Sequence, residues 1–211
     1  MRREEILAYV KQDIISGRLQ PGDRLVEAKL CRDLGIGRGR AREAIKYLAH
    51  EDFVEIIPYK GALVKGLSQR DIAQIYDLMA VLEALAARLA TLIIKEEMLS
   101  ALEAVIEEME QCTEDHKRFF NLNLKFHARL TQLGGNDRLT AFVANLKEQT
   151  STYRMGLLGF YNVKQIQASV AEHRGILEAL KSRDAEKVEK IVRQHFTDAK
   201  HRLINFMNQT L

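Results

Sequence analysis

Tryptophan is absent from this chain of 211 residues, and proline and cysteine occur only twice each. Cys31 and Cys112 lie far apart and form no CxxC pair. They argue against a disulfide scaffold and read as reduced thiols of a cytoplasmic protein. No apolar run approaches the roughly 20 residues that span a bilayer, so no membrane role is expected. The opening MRREEILAYVKQDII has no signal-peptide core. Both prolines, Pro21 and Pro58, fall in the first third, and from Ser68 onward the chain has none. The downstream two thirds therefore lack the residue that most strongly breaks helices. Internal repeats and low-complexity segments are also missing.

What is present is a globular composition, with 46% hydrophobic and 29% charged residues, enough for one large or two small domains. The formal charge of +3 is unevenly placed. Residues 1–66 hold 13 Lys and Arg against 10 Asp and Glu, whereas residues 67–211 hold 19 against 19. The whole excess therefore sits in the first third, and Lys29–Lys46 alone carries six cations against two acids. Such a patch fits a nucleic-acid module, and equally a solvated charged face.

Hydrophobic spacing divides the chain at the same place. Glu4 to Ser16 puts Ile6 or Leu7, Val10, Ile14 and Ile15 on one helical face, and Gly17 stops it. Leu19-Gln20-Pro21-Gly22-Asp23 is a turn. A second helix over 27–34 leads through Leu34-Gly35-Ile36-Gly37 into a third over 39–50, a helix-turn-helix. Arg38, Arg40 and Arg42 crowd the start of that third helix, where the macrodipole disfavours cations. Helix stability does not ask for them there, but a polyanion would. The runs 53–58 and 62–65 flank a Lys60-Gly61 tip and read as a β-hairpin. Three helices and a hairpin make a winged-helix layout over 1–66, with Lys60 at the wing tip. Residues 67–211 then show helical period almost throughout, with helices near 68–94, 95–114, 115–133, 137–158, 163–181 and 185–208. The fold class expected is mainly α, a winged helix-turn-helix followed by an antiparallel all-α bundle of about six helices.

Three of the six histidines fall on apolar stripes of that bundle. His173 lies among Ile166, Val170 and Leu177, His195 among Val188, Val192 and Leu203, and His127 follows Asn123 by one turn. Imidazoles aimed into a bundle interior need partners. They are either core histidines bonded to backbone or water, or ligands converging on a metal.

The first domain resembles the winged helix of the GntR-type bacterial transcription regulators. The resemblance rests on Ile14-Ile15-Ser16-Gly17, Leu19-Gln20-Pro21-Gly22-Asp23-Arg24-Leu25, Asp33-Leu34-Gly35-Ile36, Arg42-Glu43-Ala44-Ile45 and Gly61-Ala62-Leu63-Val64. The helical half is similar to the FCD ligand-binding domain of the FadR-like branch. It is marked by Leu82-Glu83, Ala86-Ala87-Arg88-Leu89-Ala90, Phe126-His127, Gly135-Asn136-Asp137-Arg138-Leu139, Glu172-His173-Arg174 and His195. One departure is local. Gly37-Arg38-Gly39-Arg40 stands where the family usually has Ser-Arg-Thr-Pro, so Arg40 adds a donor that proline lacks.

The resemblance implies a DNA-binding transcription regulator, not an enzyme, acting in the cytoplasm as a homodimer on a palindromic double-stranded operator. It places Arg38, Gly39, Arg40, Arg42, Lys60 and Gly61 against DNA, the guanidinium fork suiting guanine or phosphate. The same arginines could instead be solvated, or paired with Glu43 or Asp33. It implies a divalent metal, zinc or nickel, held by His127, His173 and His195, with Asn123 where the family has an aspartate. A small-molecule effector, an organic acid, is expected beside that metal. Met79 stands where the family has a carboxylate-receiving arginine, and Arg154 is the remaining candidate cation. A metal-dependent hydrolase using the three histidines is the alternative. It lacks an evident general base, since Glu172 points about 100° away from His173 on an ideal helix.

Overall fold

The computed structural model describes residues 1–112, 114–156 and 162–210, without the side chains of residues 15, 151–156 and 210. The chain forms two compact units, Met1–Ser68 with Glu148–Gly156, and Gln69–Lys147 with Leu157–Leu211. The fold class is the expected one, mainly helical with a small sheet near the start.

The first unit runs α1 (Arg3–Ile15), β1 (Arg24–Leu25), α2 (Glu27–Leu34), α3 (Arg38–His50), β2 (Val54–Ile57) and β3 (Gly61–Val64). Ile6, Val10 and Ile14 of α1 pack against Leu30 of α2 and Ala41, Ile45 and Leu48 of α3. Gly35 ends α2 with φ of 61°, a left-handed turn that a side chain would strain, and its N–H donates to the Cys31 carbonyl. Gly37 caps α3 without a side-chain bond, as expected of glycine. The strands pair antiparallel in the order β1-β3-β2, with Ile57 opposite Gly61 at the wing and Arg24 opposite Leu63. Strand β1 has no counterpart in the sequence reading. Two residues carry no period, and β3 defines this strand by supplying its ladder.

The second unit contains α4 (Gln69–Ile93), α5 (Glu96–Glu110), α6 (His116–Leu133), most of α7 (Asp137–Gly156), α8 (Val163–Lys181) and α9 (Ala185–Thr210). Helix α4 packs along α9 and α6, α5 along α6 and α8, and α8 along α9. The inner face of α4 is rich in alanine (Ala80, Ala84, Ala87, Ala90), which lets its neighbours approach closely. Met79 and Ala86 also point inward on α4, whereas Leu78 and Leu85 are exposed.

Candidate functional site

The buried face of α3 is Ala41, Ala44, Ile45 and Leu48, which turns Arg38, Gly39, Arg40 and Arg42 to solvent. Arg38 is the first residue of the helix and makes no hydrogen bond or ion pair with a described residue. Arg40 Nη1 donates to the Met1 carbonyl at 3.2 Å. Arg42 is paired, although with neither Glu43 nor Asp33. Its Nε and Nη2 donate to the two carboxylate oxygens of Glu27 at 3.0 and 3.2 Å. The Arg42 hydrogen bond holds the Glu27 carboxyl below its ordinary range. Lys60 and Gly61 are exposed at the wing, and the Lys60 carbonyl accepts from Arg24 Nε at 3.0 Å and from Nη2. A groove of about 500 Å³ runs between α3 and the wing. Arg42 and Lys46 line one wall, and Arg24 and Lys60 line the other. Cations on facing walls suit an anionic ridge lying between them.

The three bundle histidines come together from α6, α8 and α9, all buried, with ligand atoms within 4.8 Å of one another. His127 Nε2 lies 3.1 Å from His195 Nε2 and 3.2 Å from His173 Nε2. The opposite nitrogens are occupied elsewhere. His173 Nδ1 donates to the Ser169 carbonyl at 2.6 Å, and His195 Nδ1 donates to Glu172 Oε2 at 2.7 Å. His127 Nδ1 sits 3.3 Å from Glu83 Oε2 but is poorly aligned for a hydrogen bond. With Nδ1 of His173 and His195 protonated, their Nε2 lone pairs are directed at His127 Nε2. Such an arrangement is repulsive unless a proton or cation lies among them. Three imidazoles around one ion about 2.0–2.1 Å away would show similar nitrogen spacing, so the donor set fits a metal.

The surroundings disfavour the charged form of His127 and of His173. Burial pushes the His127 imidazole down to about 4, against the pull of Glu83, and burial also lowers His173 well below its ordinary value. Phe126 presents its edge to His173 with centroids 4.6 Å apart, and Phe196 packs on both His127 and His195. A second layer of charges was not read from the sequence. Glu83, wholly buried on α4, has Lys147 Nζ at 2.5 Å and Thr131 Oγ1 at 3.3 Å. Burial would raise its carboxyl, but Lys147 and His127 together hold it below the ordinary range. Glu172 accepts two bonds from Arg202, at 2.6 and 2.9 Å. Burial opposes its ionisation too, yet His195 and Arg202 hold its carboxyl at about 2.

Glu172 does point away from the nitrogens of His173, and for that reason it reaches His195 on the neighbouring helix. One signal for Glu83 was available: a lone acid on the stripe Met79, Ala80, Glu83, Ala87 is conspicuous among apolar neighbours. Asn123 is buried one turn before His127, and its side chain makes no hydrogen bond to a described residue. Met79 is buried one turn before Glu83. The side chain of Arg154 lies outside the described residues.

Comparison with known proteins agrees along the chain. Residues 2–64 match the family described as bacterial regulatory proteins, gntR family, and residues 74–198 match the FCD domain. An uncharacterized HTH-type transcriptional regulator, YdhC of Bacillus subtilis, is 29% identical over 91% of this chain and 87% of its own length. The HTH-type transcriptional repressor RspR of Escherichia coli is 26% identical over 92% of this chain and 86% of its own. Among solved structures, E. coli McbR/YncC superposes with a TM-score of 0.79, covering 98% of each chain at 20% identity.

Proposed function

The chain belongs to the GntR family of bacterial regulatory proteins and carries an FCD domain, which makes it a DNA-binding transcription regulator with an effector-binding half, and we propose that a metal-organised pocket in that half controls its hold on DNA. One observation carries this reading: three buried imidazoles converge on Nε2, while the outer nitrogens of two are tied to hydrogen-bond acceptors and that of the third faces a carboxylate. His127, His173 and His195 would hold a divalent ion, zinc or nickel by ligand type, with Asn123 as the fourth protein donor. When bound, the ion supplies an electrophilic centre for the carboxylate of an organic acid. Met79 would line that effector's site, and Arg154 would be its cationic partner. Glu83 and Glu172 orient His127 and His195, and Lys147 and Arg202 balance the two carboxylates.

On the DNA side, Arg38, Gly39, Arg40 and Arg42 would enter the major groove at the start of α3, and Lys60 and Gly61 would reach the duplex from the wing. The natural division of labour is a DNA-binding domain over residues 1–66 and an effector and dimerisation domain over 67–211. A homodimer on a palindromic operator follows from pairing two such modules by two-fold symmetry. Helix α4 offers a face for that pairing. Leu78, Val81, Leu85 and Leu92 form an exposed apolar stripe, being 54%, 47%, 40% and 69% accessible. Such a regulator would work in the cytoplasm, and among the described residues no helix is long and apolar enough to cross a membrane. Control requires the effector to bind the DNA-competent and incompetent states differently. The hydrolase alternative has little left to stand on. The named relatives are transcription regulators, and Glu172, its candidate base, is committed to His195 and Arg202.

The test is metal analysis of protein purified without chelators, alongside His173→Ala shown to be folded by circular dichroism. Wild type should carry about one ion per chain and the variant far less. Operator retardation should then respond to organic acids only in the metal-loaded protein. Equal metal in both proteins would sink the proposal.

A further inference from the structure

The wing tip holds a residue that neither folding nor the contacts described so far account for. Tyr59 is 106% accessible and makes no hydrogen bond or ring contact with a described residue. Its ring therefore contributes nothing to the core, and its aromatic faces stand in water. The backbone beneath it is also unfavourable for tyrosine. Lys60 N donates to the Ile57 carbonyl at 3.1 Å, closing a four-residue turn with Pro58 second and Tyr59 third. Tyr59 has φ of 63°, in the left-handed region that such a turn ordinarily gives to glycine or asparagine. The tip is held in that shape from outside, because Arg24 on β1 reaches across to donate twice to the Lys60 carbonyl. A bulky ring kept exposed on a strained and braced turn points to a partner surface rather than to stability.

The groove beside it identifies the partner surface. Arg42 and Lys46 on α3 face Arg24 and Lys60 on the wing across about 500 Å³. With α3 in the major groove, a phosphate ridge occupies the space between these cations. The far side of any such ridge is the minor groove. We propose that Tyr59 enters the minor groove beside each half-site and reads it for A·T pairs. Its flat ring fits between the groove walls, and its hydroxyl donates to adenine N3 or thymine O2. A G·C pair places the guanine amino group in the ring's path. Arg24 is then a positioning residue, fixing the turn that presents the tyrosine. This rests on the assignment of α3 and the wing to DNA and adds to it a residue and a base preference.

The experiment uses the full-length protein and a duplex that it enriches from a random-sequence library. Single A·T pairs flanking each half-site are replaced by G·C or by inosine·cytosine, which presents A·T-like groups in the minor groove. Wild type should lose on the order of tenfold in affinity with G·C and little with inosine·cytosine. Tyr59→Asn suits the left-handed backbone, so it should melt no lower than wild type, yet bind more weakly and lose the discrimination. Tyr59→Phe should keep most of the affinity and lose part of the A·T preference. Arg24→Ala should lose minor-groove protection from hydroxyl radicals at the flanks while retaining the major-groove contacts of α3. If Tyr59→Asn binds as tightly and discriminates as sharply as wild type while Arg38→Ala does not, this inference is wrong and the DNA assignment stands. Should no duplex be enriched, or Arg38→Ala bind like wild type, the DNA assignment falls and takes the inference with it.

Discussion

Arg38 stands in water at the start of α3, whereas His173 is wholly buried among α6, α8 and α9. Both are proposed to meet something outside the chain, on opposite physical terms. An exposed guanidinium stays hydrated, needs no partner and can be exchanged with little effect on folding. A buried imidazole must have its nitrogens satisfied, and its partners must be satisfied in turn. The histidine centre accordingly extends from Ser169 and Glu172 to Arg202, and from Glu83 to Lys147. On the face proposed for DNA, the bonds from Arg42 to Glu27, from Arg24 to the Lys60 carbonyl and from Arg40 to the Met1 carbonyl are all exposed. The difference explains where a chain of this family can vary cheaply. The unusual Gly39 and Arg40 sit on the exposed surface and disturb no packing.

The comparison breaks most visibly at Glu83. Glu83→Ala removes the carboxylate facing the buried Nζ of Lys147 and the buried His127, and should cost about 3–5 kcal/mol of unfolding free energy in urea. Replacing the pair together, Glu83→Leu with Lys147→Met, should recover most of that loss, because an apolar pair needs no charge balance. A loss below about 1 kcal/mol for Glu83→Ala would mean that the centre is not held by its charges. Arg38→Ala is the counterpart on the other surface. It should leave urea stability unchanged and weaken operator binding by about 1–3 kcal/mol, with a shallower salt dependence if its contact is phosphate. Arg42→Ala should weaken binding further, since a bare Glu27 carboxylate would then face the DNA. Loss of stability equal to the loss of binding would erase the distinction between the two surfaces.

The same contrast governs what the sequence could disclose. The exposed residues proposed to meet DNA stood out because their pattern is written in spacing: three arginines at alternate positions before an apolar helical stripe, then a Lys-Gly hairpin tip. Helix limits were legible within a few residues, and α2 and α8 matched their expected spans. The gathering of His127, His173 and His195 was foreshadowed by their places on inward stripes. Two kinds of fact were out of reach. Pairings between distant segments, such as Arg42 with Glu27, Arg24 with the Lys60 carbonyl or Lys147 with Glu83, depend on tertiary placement that no local period encodes. Backbone strain at Tyr59 depends on the closed turn and the brace behind it, since Pro58-Tyr59-Lys60-Gly61 alone admits several turn types.

The smallest effect tests whether burial, rather than membership of one unit or the other, decides these outcomes. Arg174 follows His173 directly on α8 but lies near the surface. Its Nε and Nη2 donate to the two oxygens of Glu110 at 2.9 and 3.0 Å, and Nη1 donates to Glu103 at 3.2 Å. Counted as bonds, this is a richer set than the one around His173. Solvent nevertheless screens it, and in the unfolded chain the same groups are hydrated at little cost. Arg174→Ala should therefore cost no more than about 1 kcal/mol in urea, and less again in high salt. Metal content and effector response should be unchanged. If Arg174→Ala instead rivals Glu83→Ala, exposure does not separate cheap charges from costly ones in this bundle. The tolerance proposed for the DNA face would then need a cause specific to the winged helix.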